Sequence, residues 1–350
     1  MVRVAVIGGD GIGPEVVGAG IRVLEAAAED DPALDLQFTE FPWGCEYFLE
    51  NGQMMPEDAL ETLADFDIIY LGAVGWPSVP DHVSLWGLLL PIRRGFDQYV
   101  NLRPARLLRG VESPLSEPGT LDITVVRENT EGEYSDSGGR VYTGTPHEIA
   151  VQESIFTRRG VERIVRYGYE EATKRRGLLV GATKSNGISI TMPFFDEIFH
   201  EVGEEYQDVE ASLMHADALA ARLVLDPGRF DVVVGSNLLG DILSEVTAAI
   251  SGAIGIAPSA NLNPEGTYPS LFEPIHGSAP DIAGKGVANP SGAIWAGALM
   301  LEHAGYPQVA QRALSALEDT LASGTKTRDL GGSATTQEMA EAVVERLQNR

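Results

Sequence analysis

The sequence predicts an α/β protein built on a largely parallel sheet. Short apolar runs of strand length alternate with helical tracts along the whole chain. The first run, residues 2–7, enters a glycine-rich turn and then a helix. A second strand-turn-helix junction follows at residues 231–246, and such junctions are where α/β folds place ligands.

Taken in order, residues 2–7 form a strand that meets Gly8-Gly-Asp-Gly-Ile-Gly13. Pro14 then opens a helix to about Glu29, because the first turn has no use for the N–H that proline lacks. The glycine spacing is not G-x-G-x-x-G, and no acidic residue follows a second strand at the distance a ribose would need. A Rossmann fold is therefore rejected. Residues 34–41 read as a strand, 56–64 as a helical tract and 66–71 as a buried strand. Pro91 makes one long helix between Trp76 and Arg94 awkward, at ~3 kcal/mol for an interior proline, so a kinked helix or a start near Leu90 is expected.

Residues 122–126 form a strand closed by Arg127. Residues 130–152 hold Gly138-Gly139, Gly144 and Pro146 among alternating Val141, Thr143 and Thr145, the pattern of an extended hairpin arm. Helix 157–174, strand 177–183, helix 193–206 and strand 209–214 follow. After strand 231–235, Leu238, Ile242 and Val246 recur at helical spacing. Residues 276–289 are too polar and glycine-rich for a core element and suit a loop built for close backbone approach. Helical tracts 292–303, 309–321 and 337–347 complete an outer layer.

Composition narrows the function. The chain has 350 residues, 44% of them hydrophobic, enough for a large α/β unit or two modest domains. There are 51 acidic against 25 basic residues, a net charge of −26, so a nucleic-acid partner is excluded. No apolar run is long enough to span a membrane and no secretory signal is visible, so the expected location is the cytoplasm. The single cysteine, Cys45, is read as a packed small hydrophobe. Only Lys174, Lys184, Lys285 and Lys326 are lysines. Such an acidic, lysine-poor surface points to a halophilic protein, because screening at ~3 Å in 1 M salt removes its self-repulsion.

Against that background several residues stand out. Asp241 and Glu245 lie four apart on one helix face, where their charges repel unless water or a cation separates them; a solvated face is the plain alternative to a metal site. Arg93, Arg103 and Arg127 are placed at strand or helix ends as a carboxylate clamp, or else as surface ion-pair residues. Lys184 ends a strand in a chain that keeps few lysines, which favours a general base over an ordinary loop residue. Asp217 would serve as a helix cap, and His215 is read as packing.

GSNLLGDILSE (residues 235–245) and EPIHGSAPDIAGKGVANP (residues 273–290) resemble the NAD-dependent β-decarboxylating dehydrogenases of 2-hydroxy acids. That family includes isopropylmalate, isocitrate, homoisocitrate, tartrate and D-malate enzymes, and the likeness runs over essentially the whole chain. It implies an isopropylmalate-dehydrogenase-like fold of two domains sharing one sheet, with a cleft between them. The first domain would comprise residues 1–98 and 250–350. The second would comprise residues 99–249, with an arm at about 130–152 that builds a homodimer.

The resemblance also implies roles. Asp217 of one subunit would join Asp241 and Glu245 of the other around Mg²⁺ or Mn²⁺, so the active site is shared; a monovalent cation such as K⁺ also belongs to the implied set. Lys184, with Asp217, would take the hydroxyl proton and Tyr134 would protonate the enolate. Arg93, Arg103 and Arg127 would hold the dicarboxylate. Asn186, His276, Gly277, Ser278, Ala279, Asp281 and Asn289 would hold NAD. Asp281 would accept hydrogen bonds from a ribose 2′-hydroxyl and repel a 2′-phosphate, and NADP-using relatives tend to carry lysine and tyrosine at the positions of Asp281 and Ile282. The family usually has aspartate where this chain has Glu245.

Isopropylmalate enzymes carry an acidic residue on the helix before the first arginine, and Trp86 stands at that place here. FPWGCEY, GAVGWPSVPDHVSLWG and FDQYVNLRP resemble the tartrate and D-malate branch. D-malate or tartrate is therefore expected ahead of 3-isopropylmalate, and a carboxylate-binding protein is the non-enzymatic alternative. The charge balance makes a first prediction: the melting temperature falls as KCl is lowered from about 1 M toward about 0.1 M. Scanning fluorimetry across a salt series checks it, and a flat response would remove the halophilic reading.

Overall fold

The structure is a computed structural model and describes residues 1–29, 31–252 and 254–349. The chain splits into two compact units. One holds Met1–Gln98, Arg103–Glu117 and Ala248–Arg350; the other holds Tyr99–Leu102 and Pro118–Thr247.

The chain begins with β1 (Val2–Gly9), α1 (Gly13–Ala28), β2 (Leu36–Phe41), α2 (Cys45–Asn51), α3 (Ala59–Leu63) and β3 (Ile68–Ala73). Then come α4 (Asp81–Ser84), a π turn (Leu85–Leu89), α5 (Leu90–Gly95), β4 (Val100–Arg106) and β5 (Asp122–Glu128). The hairpin β6 (Gly138–Val141) and β7 (Ile149–Gln152) leads to α6 (Arg158–Lys174), β8 (Leu178–Thr183), α7 (Thr191–Gly203) and β9 (Glu210–His215). Next are α8 (Ala216–Leu225), β10 (Val232–Gly235) and α9 (Asn237–Ile250). The chain closes with β11 (Pro258–Leu262), β12 (Ser270–Pro274), α10 (Ser291–His303), α11 (Pro307–Ala322) and α12 (Thr336–Gln348).

In the first unit the strand order is β2-β1-β3-β12-β11. β1 runs parallel to β2 and β3, β12 parallel to β3, and β11 antiparallel to β12. In the second unit β5-β10-β8-β9 are all parallel. Every residue of β3 and of β10 is buried, as expected of parallel strands covered on both faces. The β6–β7 hairpin is exposed along its whole length.

Glycine is required where α1 meets β3. A Cβ on Gly13 would stand 2.2 Å from the Gly8 carbonyl oxygen, and Gly9 has φ +70. Asp10 in the same turn is buried; it accepts from the Cys45 N–H at 2.7 Å and the Gly75 N–H at 2.8 Å, tying three segments together. Burial and the nearby Asp10 push the Cys45 thiol up to about 12, so it is packed and unreactive.

The expected break before Arg94 is a π turn in the helical segment 81–95, whose i→i+5 bond from the Leu90 N–H to the Leu85 carbonyl accommodates Pro91. Three features depart from the sequence reading. Strands β11 and β12 carry buried Ser259, Asn261, Ser270 and Glu273, which hide any apolar alternation. These polar groups satisfy one another: Asn261 Nδ2 donates to Glu273 Oε1 at 2.8 Å, and the Asn263 N–H to Ser270 Oγ at 3.1 Å. Arg103 lies inside β4 and not at its end. Finally, α8 is capped at His215, with Asp217 in its first turn.

Gly20 and Gly18 make opposite predictions on the same helix. A Cβ on Gly20 would meet the Tyr70 hydroxyl at 2.1 Å, and that hydroxyl donates to the Ala293 carbonyl at 2.6 Å. Around Gly18 there is nothing within 4 Å. Alanine gains about 1 kcal/mol of helix propensity at either site, but overpacking costs about 1–3 kcal/mol. Gly20→Ala should therefore lower the urea midpoint and Gly18→Ala should raise it.

Candidate active site

The first unit contains a cavity of about 290 Å³ lined by Asp81, Ser84, Leu85, Leu89, Arg93 and Arg103, closed by Glu273, His276 and Gly277. Arg93, in the last turn of α5, is 5% exposed and donates from Nη2 to Glu273 Oε1 at 2.9 Å. Its Nε is buried with no hydrogen-bond partner. His276 shares that property at Nε2. Its Nδ1 lies 3.0 Å from the Gly277 carbonyl, which only accepts, so Nδ1 carries the proton and Nε2 is an acceptor. A donor and an acceptor, both buried and orphaned at one cavity, fit a small polar ligand.

The loop that carries His276 is pinned along its length. The Ile12 N–H donates to the Ser278 carbonyl at 2.9 Å, and a Cβ on Gly11 would collide with that oxygen at 1.9 Å. Ala279 has φ +39, a conformation that suits glycine better than alanine. Lys285 Nζ donates to the Asp281 carbonyl at 2.6 Å, and the Ala288 N–H to Glu15 Oε1 at 3.2 Å. Asn289 Nδ2 holds Asp329 at 2.9 Å. Asp281 itself is exposed.

The second unit holds two further groups. Arg127, near the end of β5 and 3% exposed, donates from Nη2 to Asn237 Oδ1 at 2.7 Å and from Nη1 to Asp241. The Tyr134 hydroxyl donates to the other oxygen of Asp241 at 3.0 Å, and the guanidinium stands 5.4 Å from the tyrosine ring centre. Glu245 lies one helical turn beyond Asp241, half-buried. Elsewhere in the unit, Lys184 Nζ pairs with Asp217 Oδ1 at 2.9 Å. That ammonium holds the Asp217 carboxyl below its usual range. Asn186 is exposed in the turn after β8.

Among the described residues no three His, Cys, Asp or Glu side chains of one chain converge to hold a metal. The donor chemistry nevertheless suits a hard divalent cation, since Asp217, Asp241 and Glu245 offer oxygen only. Asp217 is mostly exposed and paired with Lys184.

Trp86 does not line the cavity; the π turn gives that wall to Leu85, and Trp86 lies 4.7 Å from the Arg94 guanidinium. Sequence reasoning also passed over Glu273, Asn237 and Glu15, which hold Arg93, Arg127 and the 276–289 loop. Glu273 had one signal, a charge heading the motif EPIHGSAPD next to apolar Leu271 and Phe272.

The fold and these groups define a dehydrogenase scaffold of known type. Residues 3–343 match the family described as isocitrate/isopropylmalate dehydrogenase, and the chain belongs to that family. It is 57% identical to the D-malate dehydrogenase (decarboxylating) of Escherichia coli (strain K12), over 97% of this chain and 97% of that protein. It is 54% identical to the tartrate dehydrogenase/decarboxylase of Pseudomonas putida, over 99% of this chain and 97% of the other. Among solved structures, isocitrate dehydrogenase from Methylococcus capsulatus matches with a TM-score of 0.90 and 34% identity, covering 99% of this chain and 100% of that one.

Burial holds the His276 imidazole below its ordinary pKa, because desolvation disfavours the charged ring. The unfolded chain then takes up that proton first as the pH falls through about 6.5, so acid removes stability and higher pH restores it. NMR should place the His276 midpoint below that of free histidine. His276→Gln should show a smaller fall in urea midpoint between about pH 7.5 and about pH 5.5.

Proposed function

We propose that the protein oxidises and decarboxylates a small 2-hydroxy dicarboxylic acid, with NAD as hydride acceptor and Mg²⁺ or Mn²⁺ as cofactor. The substrate is D-malate, giving pyruvate and CO₂, or tartrate. The observation that carries this reading is the arginine-walled cavity with its orphaned Arg93 Nε and His276 Nε2. The identities to the named D-malate and tartrate enzymes support the substrate class.

Arg93 and Arg103 hold one carboxylate by paired N–H donors, and Arg127 holds the other. Lys184 accepts the proton of the 2-hydroxyl at Nζ once its ammonium has passed a proton to water. The Tyr134 hydroxyl returns a proton to the enolate carbon after CO₂ leaves, and its bond to Asp241 orients it for that step. Asp241 and Glu245, with Asp217 of a second copy, would hold the divalent cation, which would supply Lewis-acid polarisation of the substrate oxygen. Residues 276–289 would hold NAD, which would supply the hydride acceptor, and Asp281 would favour it over NADP.

A homodimer follows from the need for a second Asp217, and the exposed Val141, Tyr142, Ile149 and Val151 of the arm offer it an apolar surface. The family resemblance supports a cytoplasmic enzyme.

The test is a substrate panel with NAD and Mn²⁺: D-malate, L- and meso-tartrate, 3-isopropylmalate and isocitrate, followed by NADH absorbance. D-malate or a tartrate should give the highest kcat/KM, and Lys184→Met should lose about 10²–10⁴-fold in turnover while still binding substrate. Faster oxidation of 3-isopropylmalate would sink the assignment, and binding without NAD reduction would favour a carboxylate-binding protein.

A further inference from the structure

We propose that Ser84 is a specificity determinant within the function proposed above. Its hydroxyl, set in the cavity wall by the π turn, accepts a hydrogen bond from a hydroxyl on the substrate carbon beside the oxidised one. Tartrate carries such a hydroxyl and D-malate carries a methylene there, so Ser84 separates the two substrates.

The argument begins with helix geometry. In an uninterrupted α-helix, residues seven apart share a face, which would align Trp86 with Arg93. The i→i+5 bond between the Leu90 N–H and the Leu85 carbonyl inserts one extra residue. The wall facing Arg93 is then made by Ser84, Leu85 and Leu89, and Trp86 is turned to Arg94. Without the π turn a bulky indole would occupy the place where a serine hydroxyl and two leucines now stand.

The chemistry of Ser84 comes next. It is 4% exposed yet borders the cavity. Its Oγ donates its one proton to the Asp81 carbonyl at 3.2 Å, which leaves the oxygen as an acceptor only. On this wall Leu85 and Leu89 offer no hydrogen bond at all. A second substrate hydroxyl that faced them would be buried unpaired, whereas one facing Ser84 is satisfied. The carboxylate of Asp81, exposed at the same wall, adds a charge that disfavours a third substrate carboxylate.

The experiment compares Ser84→Ala and Ser84→Thr with the unaltered enzyme, using kcat/KM for D-malate and for whichever of L- and meso-tartrate is oxidised. One neutral hydrogen bond predicts that Ser84→Ala lowers the tartrate-to-malate ratio by roughly threefold to tenfold, the greater loss falling on tartrate. Ser84→Thr, which keeps the hydroxyl, should restore most of the ratio. An unchanged ratio in Ser84→Ala overturns the inference, and so does an equal fall for both substrates, since that marks a purely structural role. If the unaltered enzyme oxidises neither acid, the functional reading fails and this inference goes with it.

Discussion

The buried ion pair of Arg93 and Glu273 is the constraint on which the first unit's cavity depends. Both side chains are about nine-tenths out of water, at 6% and 10% exposure. Neither charge would tolerate that alone, because an unpaired buried charge costs roughly 3–5 kcal/mol. Glu273 is therefore held in turn by Asn261 on the neighbouring strand, at 2.8 Å. The pairing draws on β11, β12 and α5 at once. It also fixes which face of Arg93 remains for a ligand, since Nη2 is taken and Nε is not. A cavity proposed to bind carboxylates thus rests on one carboxylate already built into its wall.

Much of the fold was legible because its strands announce themselves. β1, β3, β5, β8 and β10 are runs of Val, Ile, Leu and Ala between glycines or charged residues, the composition of parallel strands covered on both faces. β11 and β12 were not legible, for a physical reason. Their buried Ser, Asn and Glu are satisfied by one another across an antiparallel pair, and a partner elsewhere in the chain leaves no trace in a local window. The same holds for α2, whose seven residues mix Glu46 and Glu50 with apolar neighbours and carry too little periodicity to read.

The candidate site divides along similar lines. Lys184 and Asp217, coupled in the role the family resemblance implies, form an ion pair; Arg127, Tyr134 and Asp241 meet around one carboxylate. All but Tyr134, which lies in the loop before β6, stand at strand ends or on a helix face, where sequence position predicts orientation. Trp86 shows where that rule ends. Counting back from Arg93 assumes 3.6 residues per turn, and a single π turn moves every earlier residue around the helix axis by one position. Pro91 was the visible warning of a break, but a proline does not say whether the helix will kink, stop or widen.

The charge pattern gives these pairings a further meaning. In a chain of net charge −26 most basic residues are arginines, and many sit in exposed pairs such as Arg22–Glu341 and Arg158–Glu201. Such pairs contribute little even in dilute buffer and less in concentrated salt, where the screening length approaches ~3 Å. Arg93–Glu273 and Arg127–Asp241 are of another kind. Each guanidinium is almost wholly buried, so dissolved ions cannot stand between it and its partner. For Arg93 this bears on the proposed substrate site, because only a ligand small enough to enter the cavity can reach the Nε that Glu273 leaves unbonded.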